Sequence, residues 1–309
     1  MHGMRYLRWL SVGVTAVTLA LLPTTSSAQK APAGNAGYAG NAACQDCHKE
    51  FFAPFEKTAM GQGIMVKPAS EHAKKGCESC HGPAKAHAES GGEDKSTLVS
   101  YRRTSKTPVA ARNATCLACH EKTARTLWAG SAHESRNVAC TDCHVVMHDK
   151  TEKGSLRQTS VLATCGNCHR EKAAAMGKYS HMPLGEGKME CISCHAPHGS
   201  PNEKLLIASS VNETCFSCHA EKRGPFMWEH MPVTENCANC HDSHGSNKQR
   251  MLKQALPRLC QQCHNTPHGQ PAARPSDAPS VRFAYNKGCV NCHSVIHGSN
   301  HPTGIFFTR

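Results

Sequence analysis

The 309-residue sequence predicts short α-helices and loops, with little or no β-structure, wrapped around a covalently attached cofactor and not around a side-chain core. Three observations carry that reading. The pentapeptide Cys-x-x-Cys-His occurs ten times and uses all 20 cysteines. Only 39% of residues are hydrophobic even with those cysteines counted, and aromatics make up 5%, too little apolar surface for a conventional core at this length. Gly and Pro recur throughout and cut every candidate helix short.

At the N-terminus, Arg5 and Arg8 precede an apolar run from Leu10 to Leu22, then Pro23 and the small-residue site Ser26-Ser27-Ala28. This is the pattern of a secretory signal peptide cleaved after Ala28, so residues 1–28 are read as leader and 29–309 as the mature chain. The run is shorter than the ~20 apolar residues a membrane-spanning helix needs. Gln29 to Ala43, rich in Ala, Gly and Asn, reads as a flexible lead-in.

The motifs follow. Their cysteines are Cys44 and Cys47, Cys77 and Cys80, Cys116 and Cys119, Cys140 and Cys143, Cys165 and Cys168, Cys191 and Cys194, Cys215 and Cys218, Cys237 and Cys240, Cys260 and Cys263, Cys289 and Cys292. Each second cysteine is followed by a histidine: His48, His81, His120, His144, His169, His195, His219, His241, His264 and His293. On a helical turn these positions share a face, so two thiols reach the two vinyl groups of one haem while the imidazole meets the iron. A redox dithiol, a zinc knuckle or a disulfide framework also uses Cys-x-x-Cys, but none demands the adjacent histidine. With 22 histidines in 309 residues, ten consecutive matches exclude chance, and ten covalent haems c follow. Such haem is attached outside the cytoplasm, which agrees with the leader and points to the bacterial periplasm.

The motifs fall in pairs beginning at Cys44, Cys116, Cys165, Cys215 and Cys260, a repeat of roughly fifty residues. The expected organisation is one elongated domain of five two-haem units, approximately 44–113, 114–163, 164–213, 214–258 and 259–309, each burying its faces against its neighbours. The first unit carries an insertion from Gly82 to Asn113, containing Gly91-Gly92-Glu93-Asp94 and Tyr101-Arg102-Arg103, which reads as a surface loop.

Eleven further histidines lie beyond the leader: His72, His87, His133, His148, His181, His198, His230, His244, His268, His297 and His301. Most recur in two slots, one before the second motif of a unit and one just after it. They are the candidate distal ligands. Ten suffice for ten irons, so one of His268, His297 and His301 is surplus. A histidine three or four residues past a motif histidine cannot swing to the far side of the same haem, so it is expected to serve a neighbouring one. Met182 and Met231 are rival ligands, but each follows a histidine already in the slot. Two imidazoles per iron leave no open position for substrate, which argues for electron transfer and against a catalytic site.

The formal charge of +12 would ordinarily suggest nucleic acid or an acidic membrane as partner. Without Arg5 and Arg8 it is about +10, and the propionates and ferric charges of ten haems bring the oxidised protein to about zero and the reduced one to about −10. The basic residues balance the cofactor, and no nucleic-acid partner is called for.

Ten sites at this length, paired units with trailing His-Gly, and the run Cys292-His293-Ser294-Val295-Ile296-His297-Gly298-Ser299-Asn300-His301-Pro302 resemble the periplasmic decahaem c-type cytochromes of the MtrA/DmsE type. The resemblance covers essentially the whole mature chain. It implies a non-enzymatic electron conduit of bis-histidine haems inserted in an outer-membrane β-barrel, between periplasmic or inner-membrane donor cytochromes and an extracellular multihaem cytochrome or reductase, as in metal respiration or iron oxidation. The alternatives are a soluble periplasmic carrier feeding a terminal reductase and, from a different class, a multihaem oxyanion reductase.

Overall fold

The computed structural model describes residues 37–151, 154–181, 184, 186–264 and 288–308. Its elements are short, as the breakers require. The longest described helix, Val109–His120, has 12 residues, and most others run one or two turns. Among the described residues no named strand occurs; pairing is confined to five isolated antiparallel bridges.

The first motif of each pair sits at the end of a helix, and local signals start several of these. Ser160 and Ser210 accept the backbone N–H groups of Ala163 and Glu213 through their hydroxyls and so begin Val161–Gly166 and Val211–Phe216. In each case the helix delivers Cys165 or Cys215 one turn later. Three of the second motifs form tighter turns, Cys191–Ser193, Cys237–Asn239 and Cys289–Asn291, while the other two lie in single α-helical turns, Glu78–His81 and Cys140–Cys143.

Side chains bury little apolar surface. Among the described residues only Phe55, Ala73, Ala84, Trp128, Ala139 and Leu206 are buried hydrophobics, while Asn113, Asn212, Thr164, Thr214 and Glu78 are buried polar groups. These polar groups are the internal framework. Glu78 accepts from the amides of Ala39, Gly40 and Ala84. Asn113 accepts from the Cys140 amide and donates to the Val138 carbonyl, and Asn212 repeats the arrangement with the Cys237 amide and the carbonyls of Val233 and Thr234. Asn41 likewise takes the Cys77 amide. One asparagine therefore ties the first motif to the second in three of the five pairs.

The Gly82 to Asn113 insertion departs from the surface-loop expectation in part. Arg102 and Arg103 are exposed, but Tyr101 is half-buried, donates its hydroxyl to the Cys80 carbonyl and packs edge-on against the His81 ring. The insertion is anchored to the second motif of its own unit because a phenol and a carbonyl find partners there.

Candidate haem sites

The sulfur atoms come together in a definite order. Within each pair the two leading cysteines are neighbours: Cys44 lies beside Cys77, Cys116 beside Cys140, Cys165 beside Cys191, Cys215 beside Cys237 and Cys260 beside Cys289. Between pairs the trailing cysteines take over, with Cys80 near Cys119, Cys143 near Cys168, Cys194 near Cys218 and Cys240 near Cys263. All ten motifs are thus joined in sequence order by nine successive junctions. None of the twenty cysteines is paired in a disulfide, and none is fully buried.

The histidines pair across units. His144 faces His198 at 5.9 Å between ring centres, His195 faces His244 at 6.1 Å, and His241 faces His297 at 6.2 Å, with rings within 18° of parallel. In each case the second motif histidine of one unit meets the trailing histidine of the next. The lone histidines point the same way: His133 lies 6.2 Å from His169 and His230 lies 6.2 Å from His264. His48 meets His87, 6.5 Å away, inside the first unit. These spacings test the fit of a haem iron. Two imidazoles on opposite sides of one metal, with bonds of about 2.0 Å and ring centres roughly 1.1 Å further, stand about 6.2 Å apart.

The imidazole tautomers agree with that fit. Nδ1 of His81, His144, His195, His241 and His293 faces a backbone carbonyl, of Val99, Gly154, Lys204, Arg250 and Phe306 respectively. A proton donated there leaves Nε2 as the metal-binding nitrogen. Three of the candidate distal histidines are held similarly: His87 on the Asp94 carbonyl, His133 on Pro197 and His181 on Ser243. His230 is turned toward the Ile296 carbonyl, although its Nδ1 falls short of good hydrogen-bond geometry. Pro197, Ser243 and Ile296 each directly precede a trailing histidine, so the lone histidine of one unit is fixed by the distal segment of the next. Burial lowers the pKa of His81, His198, His230, His244 and His297, keeping the neutral imidazole that ligates metals.

Other candidates stand apart. His72 places Nε2 on the Ser79 carbonyl, His148 is exposed, and His301 is held between Ser299 and Thr303. His120 is half-buried beside Arg125 and His144, and His219 is exposed near Glu221. His268 and Met182 lie outside the described residues. Sequence reasoning missed the bridging asparagines, although Asn41, Asn113 and Asn212 all stand three positions before a leading cysteine, a signal open to inspection.

Comparison with known proteins is consistent with this geometry. A family model of the doubled Cys-x-x-Cys-His motif matches residues 181–224 and 230–269, and one of NrfB-like cytochrome c-type proteins matches residues 77–168. The multihaem cytochrome MtrA of Shewanella baltica (strain OS185) is 39% identical over 282 residues, covering 89% of this chain and 83% of that protein.

Proposed function

The chain belongs to the MtrA-type multihaem c-type cytochromes, and from that premise we propose that it carries electrons between periplasmic donors and the cell exterior through an outer-membrane β-barrel. The observation that supports this most is the unbranched succession of cysteine junctions from Cys44 to Cys289. Cofactors tethered at those sulfurs lie in one file, so an electron entering at one end has a neighbour at every step. No helix among the described residues is long and apolar enough to cross a membrane, so a chain with this polar surface crosses only inside a barrel that shields it from lipid.

In this reading the twenty cysteines form thioethers and the ten motif histidines are proximal ligands. Bis-histidine haem supplies a one-electron couple of low potential without a substrate position. The protein's residues hold each site: His198, His244 and His297 are distal ligands for the sites of His144, His195 and His241, His133 and His230 for those of His169 and His264, and His87 for that of His48. The same register pairs His181 with His219. Extended to the first unit it assigns His72 to His120 and His148 to His81, which requires His72 to release the Ser79 carbonyl. His293 then draws on His268 or His301, and the other is surplus. Export by the leader places the conduit in the periplasm, where the outer-membrane barrel, inner donor cytochromes and an outer multihaem cytochrome or reductase are its partners.

Cell fractionation tests the reading. Osmotic shock followed by mild-detergent extraction and haem staining is expected to leave the cytochrome with the outer membrane, in a stoichiometric complex with a barrel protein. Recovery as a free monomer in the shock fluid overturns the conduit and makes the protein a soluble carrier.

A further inference from the structure

In three units the segment after the second motif carries a backbone conformation that side chains with a β-carbon seldom adopt. Lys204 and Leu205 both have φ of 56°, and Arg250 and Met251 have 58° and 56°. The second unit places Gly154 and Ser155, at 75° and 45°, in the same slot. Two successive left-handed residues are disfavoured wherever a β-carbon is present, and they persist only where the surroundings impose them. Here they recur at one register in three units.

What the turn achieves is the same each time. In the third unit the Lys204 carbonyl lies 2.9 Å from His195 Nδ1, the Leu205 carbonyl accepts from the Ala196 amide at 2.7 Å, and the Ile207 amide donates to the Cys194 carbonyl at 3.0 Å. In the fourth unit Arg250, Met251 and Lys253 make the equivalent bonds to His241, Asp242 and Cys240. In the second, Gly154, Ser155 and Arg157 make them to His144, Val145 and Cys143. The last two residues of each motif and the residue that follows are gripped, and the imidazole is oriented at its ring. The first motifs lack this device: among the described residues no carbonyl is paired with Nδ1 of His48, His120, His169 or His219.

We propose that the left-handed pairs Lys204–Leu205, Arg250–Met251 and Gly154–Ser155 are positioning elements that hold the proximal imidazole of the second haem site, and that each of these three units therefore couples a lower-potential second site to a higher-potential first one. A carbonyl accepting the Nδ1 proton makes the imidazole a stronger donor, which favours ferric iron. The inference rests on iron ligation by these histidines and not on the conduit role.

The test uses the fully loaded holoprotein. In Leu205→Pro the proline locks its own φ near −65° and drives Lys204 out of the left-handed region, whereas Lys204→Gly with Leu205→Gly retains the turn. With ten haems confirmed by mass, the proline variant is expected to move one-tenth of the reductive titration to higher potential while the ferric EPR spectrum stays low-spin; the glycine pair superimposes on the parent. An unshifted proline variant, or a glycine pair that shifts as far, overturns the proposal. Should the proline chain not load fully, imidazole N–H exchange in the reduced, diamagnetic parent decides: His144, His195 and His241 are expected to exchange roughly tenfold or more slowly than His48, His169 and His219, and equal rates refute the clamp. High-spin iron in the parent spectrum would instead strike at the ligation premise.

Discussion

At Asn212 a single buried amide spans two attachment motifs, taking the Cys237 N–H on its oxygen and reaching the Val233 and Thr234 carbonyls with its nitrogen. Leucine has similar bulk and neither function, so Asn212→Leu strands one donor and two acceptors and is expected to cost about 1–3 kcal/mol, read as a lowered thermal midpoint of the holoprotein. Asn212→Asp keeps the acceptor and is expected to lose less. A second residue-scale expectation concerns His198, whose ring faces His144 of the preceding unit. His198→Ala should convert one low-spin ferric signal to high-spin, with the affected haem the one on Cys140 and Cys143; conversion at Cys191 and Cys194 would refute the cross-unit assignment. The motif residues themselves were legible because a repeated pentapeptide is local. Which of the further histidines meets which motif histidine was not, because rings such as those of His144 and His198 are brought together only by the docking of one unit on the next.

Between elements, the docking depends on glycines that follow the trailing histidines. Gly199, Gly245 and Gly298 have φ of 131°, 125° and 132°, and a β-carbon on them would meet the Leu127 carbonyl oxygen at 1.9 Å, the Ala175 carbonyl oxygen at 2.1 Å and the Phe226 ring. Each neighbour belongs to the preceding unit. Gly199→Ala is therefore expected to loosen the junction between the second and third units, destabilising the holoprotein by about 1–3 kcal/mol and opening proteolytic cleavage near Leu127. Gly177→Ala, where the nearest neighbour is 3.4 Å away, is the control and should leave both readouts unchanged. The trailing His-Gly pair was visible in the sequence. Its reason was not, since the close approach is to a segment some seventy residues earlier in the chain. The bridges Tyr179 with Ser246 and Trp228 with Ser299 reinforce the same junctions.

For the whole molecule, six buried hydrophobic residues among those described cannot offset the conformational entropy of a chain this long. The haem faces have to supply the missing apolar surface, so protein made without haem attachment is expected to show no cooperative thermal transition and a poorly dispersed amide spectrum. A dispersed spectrum with a sharp transition would show that the peptide folds by itself. The sparse apolar content foretold this core, because burial is limited by composition before any arrangement is chosen.

The sequence by itself determined the number of Cys-x-x-Cys-His motifs, their covalent haem chemistry, their succession in pairs and the shortness of the elements, with no named strand among the described residues, since all of these follow from adjacent residues and composition. Tertiary structure decided the order of the cysteine junctions, the crossing of histidines from one unit to the next, the asparagine bridges and the left-handed turns behind His195 and His241. These depend on chain reversals and on unit-to-unit docking, where residues far apart in sequence become neighbours and a local pattern carries no record of the partner.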